Sequence, residues 1–274
     1  MAMSINTNEG ALFALQTLNK TNMQLNTTQS RINTGLKVGS AKDNGAVFAI
    51  AQNLRSDVAG LSAAKDSLDR ATSTLDVALA AGEAIGDLLL EMKDKVTAAA
   101  DTSLDTASRT ALQADYAQLE AQIGTITANA EFNGTNVVKA TGDSVSAIVD
   151  SKGASTISVA TQDLTATGLS VTTAATAFGS AAAATTAAAA IDDAITDLST
   201  KMATMGAASK RFAISKEFVT KLSDSIEVGI GNLVDADMAK ESANLQALQV
   251  KQQLGLQALS IANQAPGTVL GLFR

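Results

Sequence analysis

Twenty-seven acidic side chains are the most numerous groups in this 274-residue sequence that could carry acid–base chemistry, because it has no histidine and no cysteine. Without those two residues the usual nucleophile–base dyads cannot be built, a two-histidine zinc motif is impossible, and disulfides and thiolate metal sites are excluded. Hydrolysis by paired carboxylates remains formally open. The acids, however, stand beside Lys or Arg, as in KDSLDR (65–70) and MAKE (238–241), which is the pattern of a solvated helix face. Asp235 and Asp237 suggest a cation site, but acids at a helix start are far more often caps favoured by the helix dipole, and the alternating oxygens of a calcium loop are not met. Gly35 to Gly39 lacks the Gly-Lys-Ser/Thr ending of a phosphate loop and reads as a helix stop. No catalytic, cofactor-binding or metal-ligating residue is assigned, and the chain is not expected to be an enzyme.

The bulk composition narrows the partners. A formal charge of −7 without Lys/Arg clusters argues against nucleic acid and against insertion into or attraction to an anionic bilayer. The chain is 46% apolar but only 3% aromatic, with Ala and Leu dominant, which favours long helices packed through small side chains. The first basic residue is Lys20, so no secretory signal opens the sequence, and no apolar run approaches the roughly 20 residues of a membrane helix. By these signals alone the protein is cytosolic, unless it leaves by a route that reads no cleaved signal.

The elements that could position these groups are read from periodicity. Ile5, Leu12, Leu15, Leu18, Leu25 and Ile32 mark one stripe of a first helix, which Asn6, Thr7 or Asn8 can cap and Gly35 can stop. After the polar loop GLKVGSAKDNG, a heptad-like seam from Leu54 through Leu61, Leu68, Leu75, Ile85, Leu89 and Met92 to Val96 predicts a helix of about 50 residues, roughly 75 Å long. Leu104 to Ala128 is a third helix, ended by EFNGTNVV, whose Asn133-Gly134 is a turn signal. From Val137 to Thr173 three β-branched segments, SVSAIVD, STISVA and GLSVTT, predict hairpins. An Ala-rich stretch then leads into helix from about Ala181, with Ile191, Ile195, Leu198, Met202 and Met205 stepping by four and three. Met23, Met92, Met202 and Met205 read as core fillers.

Gly229 and Gly231 predict an interruption before a last helix from Asp235 to about Gln264, which Pro266-Gly267 ends. In that helix Val234, Leu245 and Leu256 are eleven apart, as are Leu248 with Leu259 and Val250 with Ile261, the repeat of an almost straight stripe. A two-helix pair cannot cover its own apolar surface well, so Ile5, Leu12, Leu15, Leu18, Leu25, Ile32, Val234, Leu245, Leu248, Leu256 and Leu259 are the candidate subunit-interface residues.

Several runs resemble one family closely. SINTN (4–8), LNKT (18–21), RINTGLKVGSAKDNGAVFAIAQNLRS (31–56), EFNG (131–134) and LVDADMAKESANLQALQVKQQLGLQALSIANQAPGTVLGLF (233–273) are similar, in order, to the conserved ends of bacterial flagellins. The resemblance implies a mainly α fold of long antiparallel helices with a small β-hairpin region in the middle of the chain. Residues 1–40 and 232–274 would form an inner coiled-coil layer, 41–135 and 181–231 a helical bundle, and 136–180 a short variable region. It also implies a secreted subunit of the extracellular filament, exported unfolded through the flagellar type III apparatus. Its partners would be itself or related flagellins, an export chaperone, and cap and hook-associated proteins. Outer Ser and Thr between Thr135 and Thr186 would be candidates for O-linked sugars. Recognised members present arginines to a vertebrate innate-immune receptor; in the matching segment LEMKDKV (90–96), Glu91 and Lys93 stand where Arg is expected and Asp94 keeps the acidic character, so weak recognition is implied. Glu91 and Lys95 also have the spacing of an i,i+4 surface pair. A hook–filament junction protein, a helical signalling scaffold and a carboxylate hydrolase are the competing classes.

Overall fold

The computed structural model describes residues 7–172 and 178–271, with side chains described as far as Gln264. Ile5, the start of the SINTN run and Thr173 at the end of GLSVTT lie outside the described residues. In chain order the elements are α1 (Glu9–Thr34), α2 (Gly45–Ala99), α3 (Thr106–Asn129), β1 (Val145–Ile148), β2 (Thr156–Val159), α4 (Ala181–Val234) and α5 (Met238–Gly271). They form two compact units, one of residues 1–55 with 226–274 and one of residues 56–225.

In the first unit local chemistry fixes each helix end. The Asn8 carboxamide oxygen accepts the Ala11 amide at 3.1 Å, and Gly35 closes α1 at φ 73°, a conformation that a Cβ would strain. The following loop is wound around Asp43, whose carboxylate accepts from the Gly39 amide, the Ser40 amide and the Ser40 hydroxyl. Those bonds, the hydroxyl first, hold the Asp43 carboxyl below its ordinary range. The Lys37 and Val38 amides both donate to the Val234 carbonyl, and Ala236 N–H donates to Gly35, so this loop is stitched to the break between α4 and α5. Asp237 then caps α5 by accepting from Ala239 and Lys240.

In the second unit α2 and α4 carry the core. Leu61, Leu68, Leu75, Ile85, Leu89, Met92 and Val96 from α2 meet Ile191, Leu198, Met205, Phe212 and Val219 from α4, all buried. Arg109 donates to the Ala99 and Asp101 carbonyls and Asp105 accepts from Ser108, which fixes the turn from α2 into α3. The Tyr116 hydroxyl on α3 donates to the Val171 carbonyl at 2.8 Å, its ring lies 5.4 Å from that of Phe178, and burial pushes the phenol pKa up. Asn133 and Gly134, both at positive φ, form the expected tight turn, with Phe132 and Thr135 exchanging both backbone hydrogen bonds. The antiparallel pair β1–β2 runs from Val145 opposite Val159 to Ile148 opposite Thr156. It lies on α2: the Ile148 amide donates to Ser67, and a Cβ at Gly60 would enter the space of the Ser151 carbonyl.

Four sequence expectations are corrected. GLSVTT is not a strand over its described residues 168–172; Leu169 and Val171 are buried instead as plugs of an irregular turn in which Ser170 has φ 59°. That turn is held by Lys201, whose ammonium donates to the Asp163 and Gly168 carbonyls and pairs with Asp197. Gly229 and Gly231 do not interrupt α4, because Ile230 and Val234 continue its buried face and offset a glycine cost of about 1 kcal/mol each. Helix α5 continues through Pro266 to Gly271, losing the one ladder bond that proline cannot donate. Met92 and Met205 are buried fillers and Met202 is half-covered, but Met23 is 65% exposed.

Candidate assembly surface

The pairing of α1 with α5 is the main contact between elements of the first unit. On α5 the covered and half-covered residues as far as Gln264 are Glu241, Leu245, Leu248, Gln252, Gly255, Leu259 and Ala262, stepping by four and three. On α1 they are Ala11, Ala14, Leu18, Thr21, Leu25, Thr28 and Ile32 with the same steps, plus Asn22 and Arg31. Both seams therefore repeat every seven residues, the period of a left-handed coiled coil, and not every eleven. The eleven-residue reading of α5 misled because Gln252 and Gly255 occupy seam positions and carry no hydrophobic signal, as Thr21 and Thr28 do on α1.

Polar ties set the register of this antiparallel pair. Asn8 Nδ2 donates to the Ala262 carbonyl at 2.7 Å, and Gln252 Nε2 donates to Asn22 Oδ1 at 2.8 Å. Arg31 Nη1 donates to Glu241 Oε1 at 3.2 Å. Glu241, placed by the sequence reading on a solvated face, is instead buried, and its Oε2 and Arg31 Nε have no protein partner. The missing Cβ of Gly255 admits the Leu18 side chain. Asn22, Arg31 and Gln252 were missed because a polar residue at a seam position looks like surface until its partner is known.

The candidate interface residues separate into two sets. Leu18, Leu25, Val234 and Leu248 are buried within the chain, and Ile32, Leu245 and Leu259 are half-covered. Leu12, Leu15 and Leu256 face outward, and they are joined by Phe13, Met23, Met238, Val250, Leu254 and Ile261, all large apolar side chains in the open. Val250, Leu254 and Ile261 fall on the side of α5 away from its seam, and Leu12 and Met23 on the far side of α1, while Leu15 flanks the α1 seam. An isolated chain seldom leaves so many large apolar side chains uncovered on neighbouring helices.

In the second unit Glu91 and Asp94 are exposed on α2. Lys93 pairs with Asp192 at 2.5 Å and Lys95 with Asp115 at 2.9 Å. Lys95 thus reaches across to α3 and does not form the expected pair with Glu91. Among the described residues no group of three or more His, Cys, Asp or Glu could hold a metal ion, and no helix is long and apolar enough to cross a membrane.

Comparison with known proteins assigns this architecture. Residues 5–143 match the bacterial flagellin N-terminal helical region and residues 188–273 the bacterial flagellin C-terminal helical region. The chain belongs to the bacterial flagellin family. It is 52% identical over 271 residues to Flagellin FljM of Caulobacter vibrioides, covering 99% of this chain and 98% of that one. To a flagellin of Brucella melitensis it is 37% identical, with 99% of each covered. A putative flagellar hook-associated protein from Vibrio parahaemolyticus shares the fold, at 13% identity and a TM-score of 0.60 over 70% of this chain and all of that one. This flagellin is therefore a structural subunit of the flagellar filament, an extracellular helical polymer, and its family is not one known for catalysis. End-to-end likeness to flagellins supports the filament-subunit reading over the junction and signalling classes.

Proposed function

We propose that the two ends of this flagellin form the inner layer of the filament, and that their outward apolar residues are buried only by neighbouring subunits. The exposure of Val250, Leu254 and Ile261 opposite the α5 seam supports this reading most directly. In it, residues 1–40 and 232–274 make the inner layer, 41–135 and 181–231 the bundle, and 136–180 the outer region, whose exposed Ser and Thr are acceptors for sugars. The chain performs no catalysis and needs no cofactor. It is exported unfolded by the flagellar type III route, bound first by an export chaperone and later by cap and hook-associated proteins. One proline and no cysteine suit that route, since slow isomerisation and wrong disulfides are largely removed from refolding. Replacing Val250, Leu254 and Ile261 with Ser together should abolish polymer while leaving the helicity of the bundle intact. Filaments of normal length from that variant would refute the assignment.

Residues 90–96 make this flagellin a weak ligand for the vertebrate receptor. Glu91 and Asp94 present carboxylates to solvent, and the Lys93 ammonium is engaged by Asp192. Receptor activation by purified monomer should be low and should rise in a Glu91→Arg, Lys93→Arg variant; potent activation by the unmodified chain would contradict this.

A further inference from the structure

The second unit has its own uncovered apolar face. On α4 Ile214 and Phe218 are 59% and 63% exposed, and Leu222 follows one turn later. Lys210, Arg211 and Lys221 are exposed on the same side of the helix, with Glu217 held by Lys221 at its edge. On α2 the positions Glu83, Asp87, Glu91 and Asp94 step by four, four and three along one exposed face, with Asp76 two turns before and Leu90, 56% exposed, among them. None of these five acids makes an ion pair among the described residues, because Lys93 and Lys95 are drawn to Asp192 and Asp115. Like charges four apart on a helix repel, so this stripe is left in tension by the free subunit.

We infer that these two faces are complementary halves of one contact between copies of this chain, the acidic stripe around Leu90 of one copy docking on the basic apolar stripe around Phe218 of the next. The charges oppose, the exposed Leu90 meets an apolar centre, and the lengths agree: residues 83–94 and 210–222 each span between about 15 and 20 Å of helix. The two faces cannot meet within a chain. Lys216 pairs with Asp69 and Lys93 with Asp192, so 210–222 lies beside 63–75 of α2, whereas 83–94 lies beside 191–202. The faces are thus displaced by about 30 Å along the same helix pair. A copy docked through one face leaves the other free, and such a head-to-tail contact propagates into an open array. The inference rests on the filament-subunit reading and identifies a contact of the bundle layer, separate from that of the terminal helices.

The test uses full-length chains and alternation. One variant reverses the basic face (Lys210→Glu, Arg211→Glu, Lys221→Glu) and another the acidic face (Glu83→Lys, Asp87→Lys, Glu91→Lys). All six sites are exposed, and unchanged helicity and melting temperature establish that each variant folds. Each alone should lose at least tenfold in sedimentable polymer, because like faces then meet. An equimolar mixture should recover it, since each variant offers the other two matched faces. A third chain carrying all six reversals should polymerise by itself but not elongate unmodified seeds. Normal growth of either single-face variant, or failure of the folded mixture and of the six-site chain, would overturn the pairing. Failure of the unmodified chain to polymerise would instead overturn the filament reading, and the pairing with it.

Discussion

The helix pair α1–α5 and the helix pair α2–α4 share one seven-residue period but fill it differently. Along α2 and α4 the seam holds Leu, Ile, Met, Val and Phe, with Leu68, Leu75, Ile85, Leu89, Met92, Ile191, Met205 and Phe212 at 0% exposure. Along α1 and α5 the same positions hold Ala11, Ala14, Thr21, Thr28, Gln252, Gly255 and Ala262 among only a few leucines, while larger apolar residues point away. Period therefore decides which helices pair, and side-chain size decides whether the pair is complete. A fully buried Leu or Phe is worth ~1.5 to 3 kcal/mol relative to an exposed one, whereas ordering each backbone residue costs ~1 to 2 kcal/mol. The bundle can meet that cost within one chain, whereas on the proposed reading the terminal pair meets it only with neighbours.

The contrast can be broken most forcefully in the bundle. Phe212→Ala should remove ~3 to 5 kcal/mol from the stability of the second unit, because a fully buried ring leaves a cavity. Denaturant unfolding of the monomer measures it, and a loss below that of an exposed-site control such as Phe218→Ala would contradict the core described. In the opposite direction, Thr21→Leu with Thr28→Leu should give the terminal pair a bundle-like seam. The expected gain is ~1 to 3 kcal/mol in pairing of α1 with α5, read as increased helicity of the monomer. No gain would mean that those positions are not limited by side-chain size.

Smaller changes address the helix ends. Asn8→Ala removes both the cap of α1 and its bond to Ala262, and should cost ~1 kcal/mol in the terminal pair without shifting the melting of the bundle. The smallest effect expected is on pH. The Ser108 hydroxyl, then its amide, holds the Asp105 carboxyl below its ordinary value of 3.8. A depressed folded value means that this cap is fully present above 3.8 and is lost as the pH falls through the lowered value. The first turn of α3 should fray there, as followed by the Ser108 amide resonance, and Asp105→Asn should make that response flat.

What was legible in the sequence follows the same contrast. The α2 and α4 seams, the stop at Gly35 and the Asn133-Gly134 turn were readable because large apolar residues or φ-specific residues sit at the positions that need them. The α1–α5 seam was readable only as an apolar tendency. Its Thr, Gln and Gly positions are silent, so residues that face outward, such as Leu12 and Leu256, were grouped with those that face the partner helix, such as Leu18 and Leu248. The Arg31–Glu241 contact joins residues 210 positions apart and has no local signature. GLSVTT misled because β-branched residues also plug a turn, and Lys201, far along the chain, supplies the charge that holds it.

Amide hydrogen exchange on monomer and on polymer tests the central claim most directly, because it reports both helix pairs in the same experiment. Amides of α1 and α5 should exchange rapidly in dilute monomer and slow by several orders of magnitude in polymer, while those in the centres of α2 and α4 stay protected in both. Terminal helices as well protected in the monomer as the bundle would show that α1 and α5 complete their own burial, and would contradict the account.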